Sequence, residues 1–350
     1  MLTEPVTGDD AREIRAVVRR FLADRLPTDR VRALAVTEAG YDPADWVAAA
    51  EMGWPALGLP EELGGAGYGP VEFAVLCEEL GRAVAPGPLL ASAGLALPVL
   101  AACDDPVARE LLDHVAAGTR TAALVDDPAG TLGGEPLNGV ASRVLDPTDL
   151  LVVAGHDTVV VVDVDAAGMS VEPLSTPDPG RRVARVRFAG VGGTMLTVRS
   201  AEALLRARAA ADVNLAATHA GGAARALEMT REYLTTRHQF GRPIGSFQAL
   251  KHRVADAAVA VTLARELVHG AAATLTTGTA EDAALAARTA LVAAAEAAQA
   301  VCGEAIQLHG GIGFTEEHDV GLYYRRALTD RDLRGTLVDR RAELTAALGW

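Results

Sequence analysis

From Asp9 to about Gly118 apolar residues recur at helical spacing. Ile14, Val17, Val18, Phe21 and Leu22 share one face, and Phe73, Val75, Leu76 and Leu80 repeat the pattern further on. The spacing predicts helices punctuated by Pro27, Pro43, Pro60 and Pro70. Gly64-Gly65-Ala66-Gly67 precedes a helix opened by Pro70, a residue suited to a first helical turn. With no strand before it and no Gly-Lys-Ser/Thr ending, this glycine cluster predicts a flexible loop rather than a phosphate cradle.

From about Thr119 to Arg199 the texture changes to short β-branched runs at 150–153, 159–164 and 183–188, separated by Gly, Pro and Asp clusters such as 176–180. From Ser200 onward proline is scarce and long Ala- and Leu-rich helices dominate. They break at Gly241-Arg242-Pro243, at Thr277-Gly278 and across 310–313. The expected class is α+β, mostly α: an N-terminal helical domain over 1–118, a small antiparallel β domain over 119–199, and a C-terminal antiparallel four-helix-bundle domain over 200–350. Alanine-rich helices that are apolar on several faces bury them against neighbours or another subunit. There is no solenoid-type repeat.

Two segments carry candidate chemistry. In the first, 237–256, a helix ends at the Phe240-Gly241 turn, Pro243 stops its continuation, and Ser246 is the expected cap of the next helix. Arg237 is placed in the last turn of the first helix, where a cation complements the dipole. In the second, 307–318, Gly310, Gly311 and Gly313 let a backbone approach something bulky, and Gln307 offers both a donor and an acceptor one turn earlier. A plain turn explains the glycines but not the glutamine.

Together the segments Arg237-His238-Gln239-Phe240-Gly241-Arg242-Pro243-Ile244-Gly245-Ser246-Phe247-Gln248 and Gln307-Leu308-His309-Gly310-Gly311-Ile312-Gly313-Phe314 closely resemble the two signatures of acyl-CoA dehydrogenases. The resemblance implies an FAD lying across a subunit interface. Its ring would rest in the β domain of one chain, and its ADP end on these segments of the neighbour. It implies that Arg237 neutralises pyrophosphate charge, that Gln248 and Gln307 hydrogen-bond the ribityl or adenylate portion, and that Phe240 lines the pocket. The Gly310-Gly311 backbone would allow close approach, and Thr336 would join the cofactor contacts. It further implies an acyl-CoA substrate, a homo- or hetero-tetramer, and an electron-transfer flavoprotein or similar acceptor.

The family's reaction needs a carboxylate base within reach of the substrate's α-carbon, in a pocket poor in water. Where many members carry Glu-Gly-Thr, the ungapped continuation here reads Arg334-Gly335-Thr336, so a cation stands at the base position. A minority of the family places the base on the helix before the first segment, at about Ala211 here. The adjacent Asp212, where the family usually has an Arg, is a displaced-base candidate or a solvent-facing helix residue. In the β region only Asp127-Pro128-Ala129-Gly130-Thr131 and Leu137-Asn138-Gly139 faintly resemble the flavin-ring framework, and no tryptophan occurs between Trp54 and Trp350. The pattern is similar to the smaller subunits of actinobacterial heteromeric acyl-CoA dehydrogenases. Such a chain would complete the FAD site of a larger partner that owns the ring platform and the base. Alternatives are a self-sufficient homotetramer and a flavin-free structural paralogue.

A formal net charge of -14 disfavours phosphate backbones and anionic lipid surfaces, so neither nucleic acid nor membrane is an expected partner. Cys77, Cys103 and Cys302 have neither CxxC spacing nor an even count, which suits a reducing cytoplasm. The acidic start, with Glu4, Asp9 and Asp10, is unlike a secretion signal, and no charge-free run reads as a membrane span. His309 and His318 lack further ligands at metal spacing and are expected on a loop or helix surface, and no metal is expected.

Overall fold

A computed structural model describes residues 8–350 except Pro128 and Gly133; Glu4 lies outside the described residues. The first amphipathic stretch is helix α1 (Asp9–Arg25), whose buried stripe of Ala11, Val18 and Leu22 also contains Arg15. A buried guanidinium needs counter-charges, and α4 (Pro70–Arg82) supplies them: Arg15 lies 3.0 Å from Glu78 and 2.9 Å from Glu79. Burial works against the Glu78 carboxylate. His269, Arg15 and Arg265 nonetheless hold it below its usual range. Between these helices lie α2 (Thr28–Ala35) and α3 (Pro43–Glu51), the latter capped by Asp42 accepting from the Ala44 N–H. A π-helical stretch over Leu90–Ala96 runs into α5 (Leu97–Ala101), and α6 (Pro106–Ala116) completes the N-terminal layer. The three cysteines are buried free thiols, and burial pushes Cys302 up to about 12.

The strands are β1 (Ala122–Asp126), β2 (Leu137–Leu145), β3 (Leu150–Ala154), β4 (Val159–Asp163), β5 (Met169–Pro173), β6 (Val183–Val191) and β7 (Thr194–Leu196). They form one sheet in the order β1-β3-β4-β7 and another in the order β2-β6-β5. The unbroken apolar runs of β3 and β4 reflect burial on both faces. Leu151, Val153, Val160 and Val162 pack between the sheets, while Leu150, Val152, Val159 and Val161 join the helical core. The all-antiparallel expectation needs one correction: β1 and β3 pair in parallel, Ala122 opposite Leu150. The intervening β2 crosses to the second sheet, so the chain re-enters the first one running the same way.

The C-terminal bundle is built from α7 (Ala201–Thr236), α8 (Gln248–Thr277), α9 (Ala280–His309) and α10 (Val320–Asp330), with α11 (Leu337–Ala347) on its surface. A small hairpin, β8 (His238–Gln239) and β9 (Arg242–Pro243), joins α7 to α8. By length and composition α8 and α9 could each cross a bilayer, a resemblance the charge pattern had not suggested. In the fold their apolarity serves packing, with Val261, Val268, Leu291 and Val301 buried in the core.

The helices α4 and α7 touch through backbone. A Cβ added at Gly221 would come within 1.8 Å of the Glu78 carbonyl oxygen, and one at Gly81 within 2.0 Å of the Thr218 carbonyl oxygen. Backbone cannot yield as a side chain tip can. Gly221→Ala is therefore expected to destabilise the chain by about 3 kcal/mol or more in urea unfolding, at the upper end of overpacking costs. At exposed Gly270 on α8, where an added Cβ meets open space, alanine is expected to be neutral or stabilising by up to about 1 kcal/mol.

Candidate functional site

At the end of α7, Arg237 occupies the C-cap in an extended conformation, just past the last turn where it was expected. The chain then reverses through Phe240 and Gly241, both at positive φ (54° and 77°), and the Ile244 N–H donates to the Arg237 carbonyl at 2.8 Å. This is the backbone twist that a tight two-residue hairpin requires, and Gly241 meets it without strain. The tip leaves Phe240 89% exposed. Ser246 does not cap α8. Residues Ile244–Ser246 form a 3₁₀ turn, which moves the N-cap to Phe247, and no side chain caps the helix. The Arg242 guanidinium lies 4.0 Å from the centroid of the Phe247 ring.

Two contacts gather the remaining residues at this end of the bundle. Arg253 on α8 donates to Glu304 on α9 at 2.6 Å, which sets Gln248 and Gln307 at the same end of their antiparallel helices. Tyr233 on α7 stacks on His309 at the end of α9, with ring centroids 4.6 Å apart. Arg237, Phe240, Gln248, Gln307, Gly310 and Gly311 are all exposed there. Among the described residues the side chains of Arg237, Gln248 and Gln307 have no hydrogen-bond partner. An added Cβ at Gly310 or Gly311 would meet nothing within 4 Å. Phe314, 74% exposed, joins the rim and was missed in the sequence, although it closes the same glycine segment.

His309 is not on a surface. It is buried, its Nδ1 lies 2.7 Å from the Ala305 carbonyl, and its ring is 4.2 Å from that of His318. Burial lowers both pKa values. Among the described residues no cluster of three or more potential metal ligands occurs.

The other candidates lie elsewhere. A cleft of about 630 Å³ opens between the β domain and the bundle, lined by Arg334, Gly335, Thr336 and Asp212. Asp212 is buried rather than solvent-facing: Arg334 Nε reaches its Oδ1 at 2.5 Å. The same guanidinium reaches Asp126 at 2.9 Å, and Arg208 meets the other Asp126 oxygen at 2.8 Å. Burial opposes the charge on Asp126, yet Arg334 and Arg208 bring its pKa below the usual value. Despite burial, Asp212 and Asp126 raise the pKa of Arg334. Ala211, fully buried, offers no polar group. Thr336 is not at the exposed bundle end: it caps α11, its hydroxyl donating to Asp339 at 2.7 Å. Asp127 accepts from the N–H groups of Thr131 and Leu132, closing the loop that follows β1; Pro128 lies outside the described residues.

Arg237 and Asp212 bracket most of α7. At about 1.5 Å rise per residue, roughly 37 Å separates them, so the bundle end and the cleft of one chain are distinct sites.

The profile of the acyl-CoA dehydrogenase N-terminal domain matches residues 8–119, and that of the C-terminal domain matches residues 201–342. The acyl-CoA dehydrogenase IpdE2 of Mycobacterium tuberculosis is 38% identical over 323 residues, 91% of either chain. IpdE2 of Mycolicibacterium smegmatis is 36% identical over 92% of this chain and 93% of that one. Among solved structures, a variant of the Tcur3481-Tcur3483 steroid ACAD superposes with a TM-score of 0.88 at 28% identity, covering 98% of each chain. Butyryl-CoA dehydrogenase of Megasphaera elsdenii shares the fold, with a TM-score of 0.84 at 21% identity over 99% of this chain and all of that one.

Proposed function

Because the chain belongs to the acyl-CoA dehydrogenase family, we propose that it is a subunit that completes the FAD site of a larger paralogous chain and leaves proton abstraction to that partner. One observation carries this reading: the base position holds a buried cation, Arg334, whose guanidinium occupies the neighbouring carboxylate, Asp212. A general base must be free to take a proton from substrate, and a carboxylate locked to a guanidinium is not. The oxidoreductase chemistry of the family then resides in the assembly.

The exposed bundle end fits the ADP portion of FAD. Arg237 would face the pyrophosphate, a planar fork well matched to paired phosphate oxygens, and the uncapped N-terminus of α8 adds favourable dipole there. Gln248 and Gln307 carry both donors and acceptors for hydroxyl and adenine groups. Phe240 and Phe314 supply apolar cover, while Gly310 and Gly311 let the cofactor approach the backbone. When bound, the flavin supplies the hydride acceptor. The roughly 37 Å between this end and the chain's own cleft supports delivery of these residues to a neighbour's flavin.

Val259, Leu263 and Leu267 are exposed on α8 at i, i+4 spacing, a stripe suited to a subunit contact. The likeness to a two-component steroid ACAD supports a paralogous partner chain and a bulky, sterol-derived acyl-CoA as the complex's substrate. Electron-transfer flavoprotein or a similar acceptor would reoxidise the complex.

The test is flavin content per chain, from visible absorbance, for the protein purified alone and after co-expression with a paralogous acyl-CoA dehydrogenase chain encoded beside it. Little flavin alone, and one FAD per pair of unlike chains on co-expression, is the expected outcome. A full complement in the lone chain, with acyl-CoA oxidation, would overturn the reading.

A further inference from the structure

The histidine pair beneath the two-glycine turn has no part in the assigned chemistry. His309 is the last residue of α9, and Gly310 and Gly311 follow it directly. The turn folds back on it: a Cβ added at Gly313 would come within 2.5 Å of the Ile306 carbonyl oxygen and 3.0 Å of the His309 Cβ. Where the turn sits therefore depends on how the His309 ring is held. Tyr233 on α7 and His318 both contact that ring, with centroids 4.6 and 4.2 Å away. Next to His318, Asp319 is tied to α2: Thr28 donates to it at 2.7 Å, and Arg32 lies 2.6 Å away.

Hydrogen bonds fix the proton on each ring. A carbonyl only accepts, so His309 Nδ1, 2.7 Å from the Ala305 oxygen, carries the hydrogen; the buried Nε2 is bare and has no partner among the described residues. His318 Nδ1 accepts from the Val320 N–H at 3.2 Å, so it has no hydrogen of its own. A proton added to His309 would put a donor into a buried place without an acceptor. One added to His318 would set two donors face to face at the start of α10, and two charged rings 4.2 Å apart would repel. Burial lowers both pKa values; the Ala305 carbonyl opposes this at His309, while at His318 Asp319 opposes it and Arg32 reinforces it. We propose that His309 and His318 form a proton-sensitive clasp that positions the Gly310-Gly311 turn against FAD, closed while both rings are neutral and released when either takes a proton. Both are positioning residues, and their role rests on the reading that the bundle end holds FAD. Because the closed turn favours neutral rings, the grip is full at high pH and is lost as pH falls below the ordinary imidazole value of about 6.5.

Two measurements between about pH 8 and about pH 5.5 test the clasp across the histidine range. One is hydrogen exchange of the segment 308–316 in the lone chain, corrected for the intrinsic pH dependence of exchange. The other is flavin absorbance of the co-expressed complex after gel filtration. Protection and FAD retention are each expected to fall at least tenfold at the acid end. In the double variant His309→Asn with His318→Asn, one side chain can still donate to Ala305 and the other still accept from Val320, but neither titrates. Taken against the variant's own values at high pH, both steps are expected to shrink below twofold. Should the double variant fail to fold in circular dichroism melts, His318→Asn alone, at a half-buried position, decides, with an expected step at least threefold smaller than that of the wild type. Arg237→Ala separates the two readings, since it should lower FAD retention by the same factor at every pH. If Arg237→Ala sheds flavin but low pH does not, or if the folded variant keeps the wild-type step, the clasp is refuted. If Arg237→Ala retains its flavin, the reading of the bundle end fails, and the exchange of 308–316 alone then upholds or refutes the clasp.

Discussion

Arg334→Glu is expected to destabilise the chain by at least about 3 kcal/mol, the cost scale of leaving a buried charge unpaired. The substitution would place three carboxylates around one buried point, because Asp212 and Asp126 already face the guanidinium at 2.5 and 2.9 Å. Asp212→Arg fails for the opposite reason, crowding Arg334, Arg208 and Arg340. The double variant Arg334→Glu with Asp212→Arg restores an opposite-charge pair, in the order that the family resemblance implies for these two positions in many members. It is expected to recover much of the loss, with a coupling energy of about 1–3 kcal/mol in a urea double-mutant cycle. Strict additivity of the two single effects would show that the pair is incidental. The pH profile follows from Asp126, whose folded pKa is depressed. Its contribution is present above the unfolded value of about 3.9 and is lost as pH falls through the folded one. Wild-type stability should therefore decline below about pH 4, and less steeply in Asp126→Asn, which lacks the titrating group.

Helical spacing in 9–25 and 70–82, and the β-branched runs at 150–153 and 159–164, expressed burial that is set locally, so they could be read one residue after another. The clustering of Arg237, Phe240, Gln248, Gln307, Gly310 and Gly311 at one exposed bundle end was legible for a similar reason: its two segments are short and internally spaced by turns and helix ends. The cleft was not. Arg334 meets Asp212 and Asp126 across sequence gaps that only the folded chain closes. One hint was present in the sequence, since Arg208 and Asp212 stand one helical turn apart on α7 and must share a face. The parallel pairing of β1 with β3 depends on where β2 goes, and the α8 cap on a 3₁₀ turn that displaces Ser246. His309 read as a surface residue because its burial comes from Tyr233 and His318, contributed by other segments.

Arg237→Ala is expected to weaken FAD retention by the co-expressed complex tenfold to a hundredfold, the equivalent of about 1.4–2.8 kcal/mol for one charge-assisted contact. Its side chain is exposed and unpartnered among the described residues, so its removal costs the fold little; a lost flavin would then report lost binding rather than unfolding. Arg237→Lys keeps the charge without the fork and should fall between. Gln307→Ala should cost less, about 1 kcal/mol, because a neutral hydrogen bond is replaced by water. The measurement is flavin absorbance per complex after dilution or gel filtration, compared with Arg242→Ala at the same hairpin. That guanidinium stacks on Phe247 within its own chain, and its loss should act mainly on local packing. If Arg237→Ala and Gln307→Ala both retain full flavin, the bundle end serves assembly alone, and the chain is a flavin-free structural paralogue. If flavin falls in both while subunit stoichiometry holds, the residues act on the cofactor itself. A chain whose own base position is occupied by Arg334 then still governs the flavin through which its partner works.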